Sequence, residues 1–230
     1  MTNLRKCLVV FLLLAITECI DDEDVFKIPV DLLFRLDINR QPGINGRLSF
    51  TGGYLVFASL EFEGSRLQGD DVYFESLFED GLSIMFDQDK VIDEFRFQIP
   101  QSTYVRITIS FDTFDDTGLS SLVVSGNYIA NSDTTYPIQF ELSSSEHFES
   151  VAEDISGNPT ILIDKDVSTH VNIQLDPVSW FEILPSGSLD DAELINLEGT
   201  LTILLNEEIN SDLYDMVVDR IDGAIKIVFE

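Results

Sequence analysis

Cysteine is almost missing from this chain. Of 230 residues only Cys7 and Cys19 are cysteines, and both sit near the start. If the segment that carries Cys7 is removed on export, Cys19 has no partner, and an intramolecular disulfide is excluded. Histidine is equally scarce, with His147 and His170 far apart, so a zinc site of the usual His and Cys type is not supported. Serines lie near both histidines (Ser143 to Ser145, and Ser168), but no G-x-S-x-G elbow exists and nothing marks a hydrolase triad. Positive charge is sparse: 13 Lys+Arg stand against 42 Asp+Glu, a net charge of −29. A surface of that sign repels phosphate backbones, which excludes nucleic acid as a partner. Long apolar runs are missing too. The best is "CLVVFLLLAI" at 7–16, well short of the roughly 20 residues that a membrane-spanning helix needs.

What is present is a core. Hydrophobic residues make up 44% of the chain and 17 of them are Phe, which no disordered acidic chain would carry. From Val30 to Ile38 apolar and polar residues alternate with period two, the mark of a half-buried strand. The same rhythm returns at 47–50, 54–62, 71–78, 82–86, 94–100, 103–114, 121–129, 136–143, 159–164 and 169–176, with turn formers between. Within 54–62, Tyr54, Val56, Ala58, Leu60 and Phe62 are expected on one face. Gly52-Gly53 marks a bend or bulge, and "EDG" at 79–81 a short turn between two strands. Ser188 with Asp191 reads as the capping start of a short helix over 188–196, and 210–223 as a second helix stopped by Gly223. Residues 224–230 suit either a strand or an extension of that helix. The expectation is an all-β fold, an immunoglobulin-like or related antiparallel β-sandwich with one or two short C-terminal helices. Residues 26–230 form one domain with a small C-terminal α/β subregion.

The first residues do not belong to that domain. Arg5 and Lys6 precede the short apolar run, as in the n- and h-regions of a signal peptide over 1–18. Residues Ile16-Thr17-Glu18-Cys19 resemble the lipobox of bacterial lipoproteins, in which a lipid is joined to the cysteine. They depart from it at Glu18, where that family has Gly, Ala or Ser. Asp21, Asp22, Glu23 and Asp24 follow, within a linker over 19–25, and resemble the acidic export signal of surface lipoproteins in the Bacteroidota. The other reading is an ordinary cleaved signal with an incidental cysteine and a solvated acidic linker, which would leave the protein periplasmic or secreted.

Candidate ligand chemistry is limited. Asp112, Asp115 and Asp116 in "FDTFDDTG" offer hard oxygen ligands of the kind calcium takes, although Val123 stands where an EF-hand would place its bidentate Glu. No other cofactor is expected. Trp180 in "DPVSWFEIL" reads as a core or subdomain contact, with a sugar platform as the alternative to test. Taken together, "EFRFQIPQSTYVRITISF" (94–111), "SLVVSGNY" (121–128), "YPIQFEL" (136–142) and "LDPVSWF" (175–181) resemble a group of uncharacterised Bacteroidota surface lipoproteins with a β-sandwich domain. That resemblance implies location and fold and brings no active residues with it. It points to an outer-membrane, surface-exposed lipoprotein acting as a non-catalytic binding or adhesion module. Its partners would be the lipid bilayer through the anchor and a glycan or envelope protein. A purely structural envelope component, or a secreted glycan-active hydrolase with an acid pair in a cleft, are the rival readings. Cys19→Ser is expected to release the protein from membranes in cell fractionation, and neutralising Asp21 to Asp24 to leave it anchored but shielded from added protease. Membrane association untouched by Cys19→Ser rules the anchor out.

Overall fold

The computed structural model describes residues 27–87, 90–91, 94–115, 118–223 and 225–230. Cys19, the acids Asp21 to Asp24, and Asp116 lie outside the described residues. Among the described residues the chain forms two packed sheets and two short helices, the all-β sandwich that the alternation implies.

The smaller sheet has the order β10 (Glu153–Asp154), β15 (Ile225–Phe229), β12 (Thr169–Leu175), β1 (Pro29–Ile38), β5 (Glu94–Pro100). Its strands come from both ends and the middle of the chain. β1 lies parallel to β12 and antiparallel to β5, while β15 closes antiparallel on β12. The larger sheet runs β11 (Ile161–Ile163), β6 (Ser102–Thr113), β2 (Leu48–Arg66), β7 (Leu122–Ile129), β8 (Thr135–Leu142), β14 (Thr200–Leu205), β13 (Leu194–Leu197). β3 (Val72–Asp87) joins β2 and a short β4 (Lys90–Val91), and β9 (His147–Val151) joins β6. The pairings β1·β12, β8·β14 and β10·β15 are parallel, so both sheets are mixed. β14 and β15 place the C-terminal region in both sheets, and one contiguous core runs from Val30 to Phe229.

β2 holds the larger sheet together. On one edge it pairs with β3 along Gly52–Gly64; on the other, Leu48–Leu55 pairs with β7 and Phe57–Arg66 with β6. Its inward residues change phase twice: Leu48 and Phe50, then Leu55 and Phe57, then Leu60 and Phe62. The face expected for Tyr54, Val56 and Ala58 is therefore wrong; they point outward and are half-buried, while Leu55 and Phe57 are fully buried. The register slips at Thr51 against β7 and at Ala58 against β3 and β6 explain it, because one extra residue in a strand turns every following side chain to the other face. Gly53 belongs to the first slip: a Cβ there would lie 1.9 Å from the Val123 carbonyl oxygen.

Three further expectations are corrected. "EDG" is no turn but part of the continuous β3, in the wide bulge between Leu77 and Leu82 opposite Ala58, with Gly81 at φ 73°. Residues 188–196 form no helix. Asp190 is drawn to Arg47 and Asn131, and the Asn210 side chain bonds both backbone groups of Glu193, holding it extended at the entry to β13. The helix lies earlier, as α1 (Pro177–Phe181), capped by Asp176 with Pro177 at its first position. The second helix, α2 (Ser211–Val218), ends sooner than the pattern suggested and is followed by a 3₁₀ turn, Ile221–Gly223. In β6, Tyr104 is buried and Val105 and Arg106 both point out, opposite the irregularity at Ser65/Arg66.

Phe rings fill the core. Phe34, Phe57, Phe95 and Phe97 meet at centroid distances from 5.2 to 5.5 Å between the sheets. At the other end Phe140 is flanked by Trp180, Phe181 and Tyr214, so both helices seal the sandwich there. Burial pushes the Tyr104 and Tyr214 hydroxyls up to about 12; the Tyr104 hydroxyl donates to the Pro100 carbonyl at 2.7 Å. Phe57→Ala is expected to destabilise the fold by about 3–5 kcal/mol and Val56→Ala by about 1 kcal/mol or less, read from urea unfolding midpoints. The reverse order would restore an unbroken alternation along β2.

Candidate ligand-binding face

The outward residues of the smaller sheet are polar and of both signs. β1 contributes Asp31, Leu33, Arg35 and Asp37; β12 contributes His170, Asn172 and Gln174; β5 contributes Arg96 and Gln98, and β15 contributes Lys226. The register sets them in rows: Arg96, Leu33 and His170; Arg35 and Asn172; Asp37, Gln174 and Lys226. Three of the chain's few cations thus share one face, with Arg40 and Lys165 at its ends. The outward row of the larger sheet is acidic instead, with Glu61, Glu63, Glu75 and Glu149.

Two clefts open at the ends of β1 on this face. The larger, about 720 Å³, is lined by Asp37, Asn39, Arg40, Gln41, Gln174 and Asp176 among others. The smaller, about 400 Å³, lies by Asp31, Arg96, Gln98 and Lys165. In the larger cleft the charges are balanced: Arg40 pairs with Asp37 at 2.7 Å, and Lys226 with Glu153. Asn39 donates to Asp176 at 3.0 Å, tying the end of β1 to the α1 cap. The Gln174 amide has no hydrogen bond among the described residues and stands half-buried on the cleft wall, with donors and an acceptor to offer. In the smaller cleft Asp31 takes bonds from Arg96 at 3.3 Å and Gln98 at 3.0 Å. Balanced charges and free amides suit a neutral ligand rich in hydroxyl or amide groups. A highly charged one would first have to break an ion pair.

The sequence-expected residues are placed elsewhere. Trp180 is 0% exposed and packed against Phe140, with its indole nitrogen unpartnered. It is a core residue, as its leading reading has it, and the sugar-platform alternative is removed because α1 turns its ring inward. Asp112 is committed to protein partners: Ser59 donates to one carboxylate oxygen at 2.9 Å and His147 Nδ1 lies 2.8 Å from the other. Asp115 is exposed beyond the end of β6. No group of three or more His, Cys, Asp or Glu that would hold a metal ion occurs among the described residues, which do not include Asp116. His147 lies on β9. Its serine partner is on the wrong side for a triad, because Ser59 bonds the aspartate rather than the imidazole. Arg35 lies 3.4 Å from His170 Nε2 on the polar face, and His170 Nδ1 is buried without a partner.

Arg40 and Gln174 were missed by the sequence reading. Alternation assigns Gln174 outward, but only the parallel pairing of β1 with β12 brings it beside Asp37. No helix among the described residues is long and apolar enough to cross a membrane. No protein-family model matches this sequence, and no curated protein or solved structure matches it significantly.

A second polar cluster fixes the fold rather than a ligand. Asp190, between the helices in sequence, bonds Arg47 Nη2 at 2.7 Å, and the Asn131 backbone and side-chain nitrogens at 2.8 and 2.6 Å. Arg47 also donates to the Tyr128 hydroxyl and sits over its ring. Burial alone would raise the Asp190 carboxyl, but the Asn131 amide and the Arg47 guanidinium outweigh it and hold it below 3.8. A depressed carboxyl stabilises the fold above its unfolded pKa, and that gain disappears as pH falls through the folded value. The wild type is therefore expected to lose more stability than Asp190→Asn between about pH 5 and about pH 3, in urea titrations at each pH. Parallel pH curves for the two proteins would sink this account.

Proposed function

We propose that this chain is a non-catalytic binding module of the cell envelope, anchored by a lipid at Cys19 and displayed at the surface. The outer face of its smaller sheet holds the ligand. The observation that carries this reading is the cleft beside Gln174, where balanced charges and uncommitted amides line a space of about 720 Å³, within the range of small-ligand sites. The ligand class that fits is a neutral glycan segment, held by hydrogen bonds from planar polar side chains. A lipid anchor keeps such a module at the membrane, and the acidic export signal supports outward display. Calcium has no part in this reading.

The test is a glycan array probed with the mature chain, followed by calorimetry on each glycan retained. Arg40→Ala combined with Gln174→Ala is expected to weaken binding about tenfold or more, the equivalent of roughly one to two hydrogen bonds, with the unfolding midpoint unchanged. No retained glycan, or equal retention by the double variant, overturns the proposal. Turnover of a glycan that one carboxylate substitution abolishes would put the hydrolase reading in its place.

A further inference from the structure

β3 lies at the margin of the larger sheet and is open along most of its length. One edge pairs with β2 from Val72 to Asp87; on the other, among the described residues, Phe86 and Asp87 pair with β4. Along Val72–Ile84 the outward backbone N–H and C=O groups have no strand partner among the described residues. Such an edge is a template for another chain unless something blocks it.

The side chains show what kind of chain would fit. On the inner face of β3, Val72, Phe74, Phe78 and Leu82 are only half-buried, whereas Leu55, Phe57, Leu60 and Phe62 of the adjacent β2 are at most 1% exposed. β5 forms the margin of the smaller sheet on the same side, and its Phe95 and Phe97 are half-buried as well, with Phe97 4.8 Å from Phe74. The seam between the sheets is therefore open here, and it is apolar. The outward row is different. Glu61 of β2 stands directly opposite Glu75 of β3, and Glu63 opposite Tyr73, whose hydroxyl lies 3.5 Å from Glu75. Like charges placed opposite one another destabilise a sheet. No ion pair among the described residues relieves Glu61, Glu63, Glu75 or Glu79. Leu77, on the same row, is 69% exposed.

We propose that the β3 edge takes up an extended segment of a partner polypeptide in which basic and apolar residues alternate. Backbone hydrogen bonds add it as a strand. Its apolar side chains turn inward over Phe74 and Phe78, and its basic side chains lie over Glu75 and Glu61. A second copy of this chain is a poor occupant, since its own β3 would bring glutamates to the same row and each copy carries −29. The acidic stretch "IDDEDVF" at 20–26 has the wrong sign for the same reason.

The experiment uses the mature chain and a fluorescent peptide of about ten residues, an ordinary strand length, that alternates lysine with valine. A glutamate–valine peptide of equal length is the control. The lysine peptide is expected to bind and the glutamate peptide not to bind. Glu61→Gln with Glu75→Gln should weaken binding about tenfold without lowering the unfolding midpoint, because it removes repulsion from the free fold. Hydrogen exchange of the Tyr73–Ile84 amides should slow on binding. Failure of the lysine peptide to bind, binding without that protection, or equal binding by the double variant overturns the proposal. So does a dimer in sedimentation with those amides already protected, which would make the occupant a second copy.

Discussion

A strand of 19 residues in a twisted sheet cannot keep one row of side chains facing a flat partner along its whole length. β2 meets this constraint by changing phase at Thr51 and again at Ala58. Each slip adds local twist and returns an apolar side chain to the core. Much of the larger sheet depends on that solution. β7 and β6 can follow each other along one edge of β2 only because the strand turns between them, and the Val56 backbone accepts and donates at the junction, to Phe114 and Ser121. The wide bulge in β3 is the counterpart of the Ala58 slip on the other edge. The whole margin, including the open seam beside β5, inherits its course from β2.

The chain's charge is distributed as unevenly as its twist. Eleven of its 13 basic residues lie at or after Lys27, and several of them meet on the smaller sheet, where Arg96, Arg40 and Lys226 pair with acids. That sheet presents a near-neutral, hydrogen-bonding face, while the larger presents unrelieved glutamates. Arg47 is the exception placed between sheet and loops. Its side chain is 25% exposed and that of Asp190 15%, and the pair fastens the 188–192 stretch over the end of β7. A partly buried ion pair contributes little by attraction alone. What it does here is position: it takes the carboxylate that would otherwise favour a helix start and holds the chain in the turns that lead to β13.

Several elements were legible from residues alone. The five buried apolar residues of β1, the Gly52-Gly53 irregularity and the existence of a late helix follow from period two, from glycine and from period 3.6. The failures have one origin, which is that alternation counts residues and cannot count bulges. A slip of one position at Thr51 made Tyr54 look buried and Phe57 look exposed. "EDG" has turn chemistry, and the local conformation is a turn-like one at Gly81, but the partner strand makes a single residue stand opposite it and the strand continues. The α1 start was written plainly in Asp176-Pro177 and went unread beside the more familiar Ser188 pattern. β9 has only Phe148 buried at the 1% level on its inward row, too little pattern to distinguish a strand from a loop. The cleft was not legible at all, since Asp37 and Gln174 are adjacent only through the parallel pairing of β1 and β12.

The same acidity bears on both proposed surfaces, in opposite ways. On the clefted face, Asp31 and Asp37 stand beside arginines and Asp176 takes an amide donor, so much of the charge is spent within the protein and recognition falls to amides and hydroxyls. Glu75 and Glu79 of β3 have no ion-pair partner among the described residues, and the field of the whole molecule adds to them. An exposed edge is ordinarily guarded by lysine or by being short; this one is long and guarded by glutamate. Against a second acidic copy that guard is complete, because each added strand would repeat the opposition of Glu61 and Glu75. Against a basic strand it becomes an attraction, and the half-buried rings behind it supply the apolar surface that charge alone would lack. The arrangement that keeps this chain apart from itself is therefore the one that selects its partner.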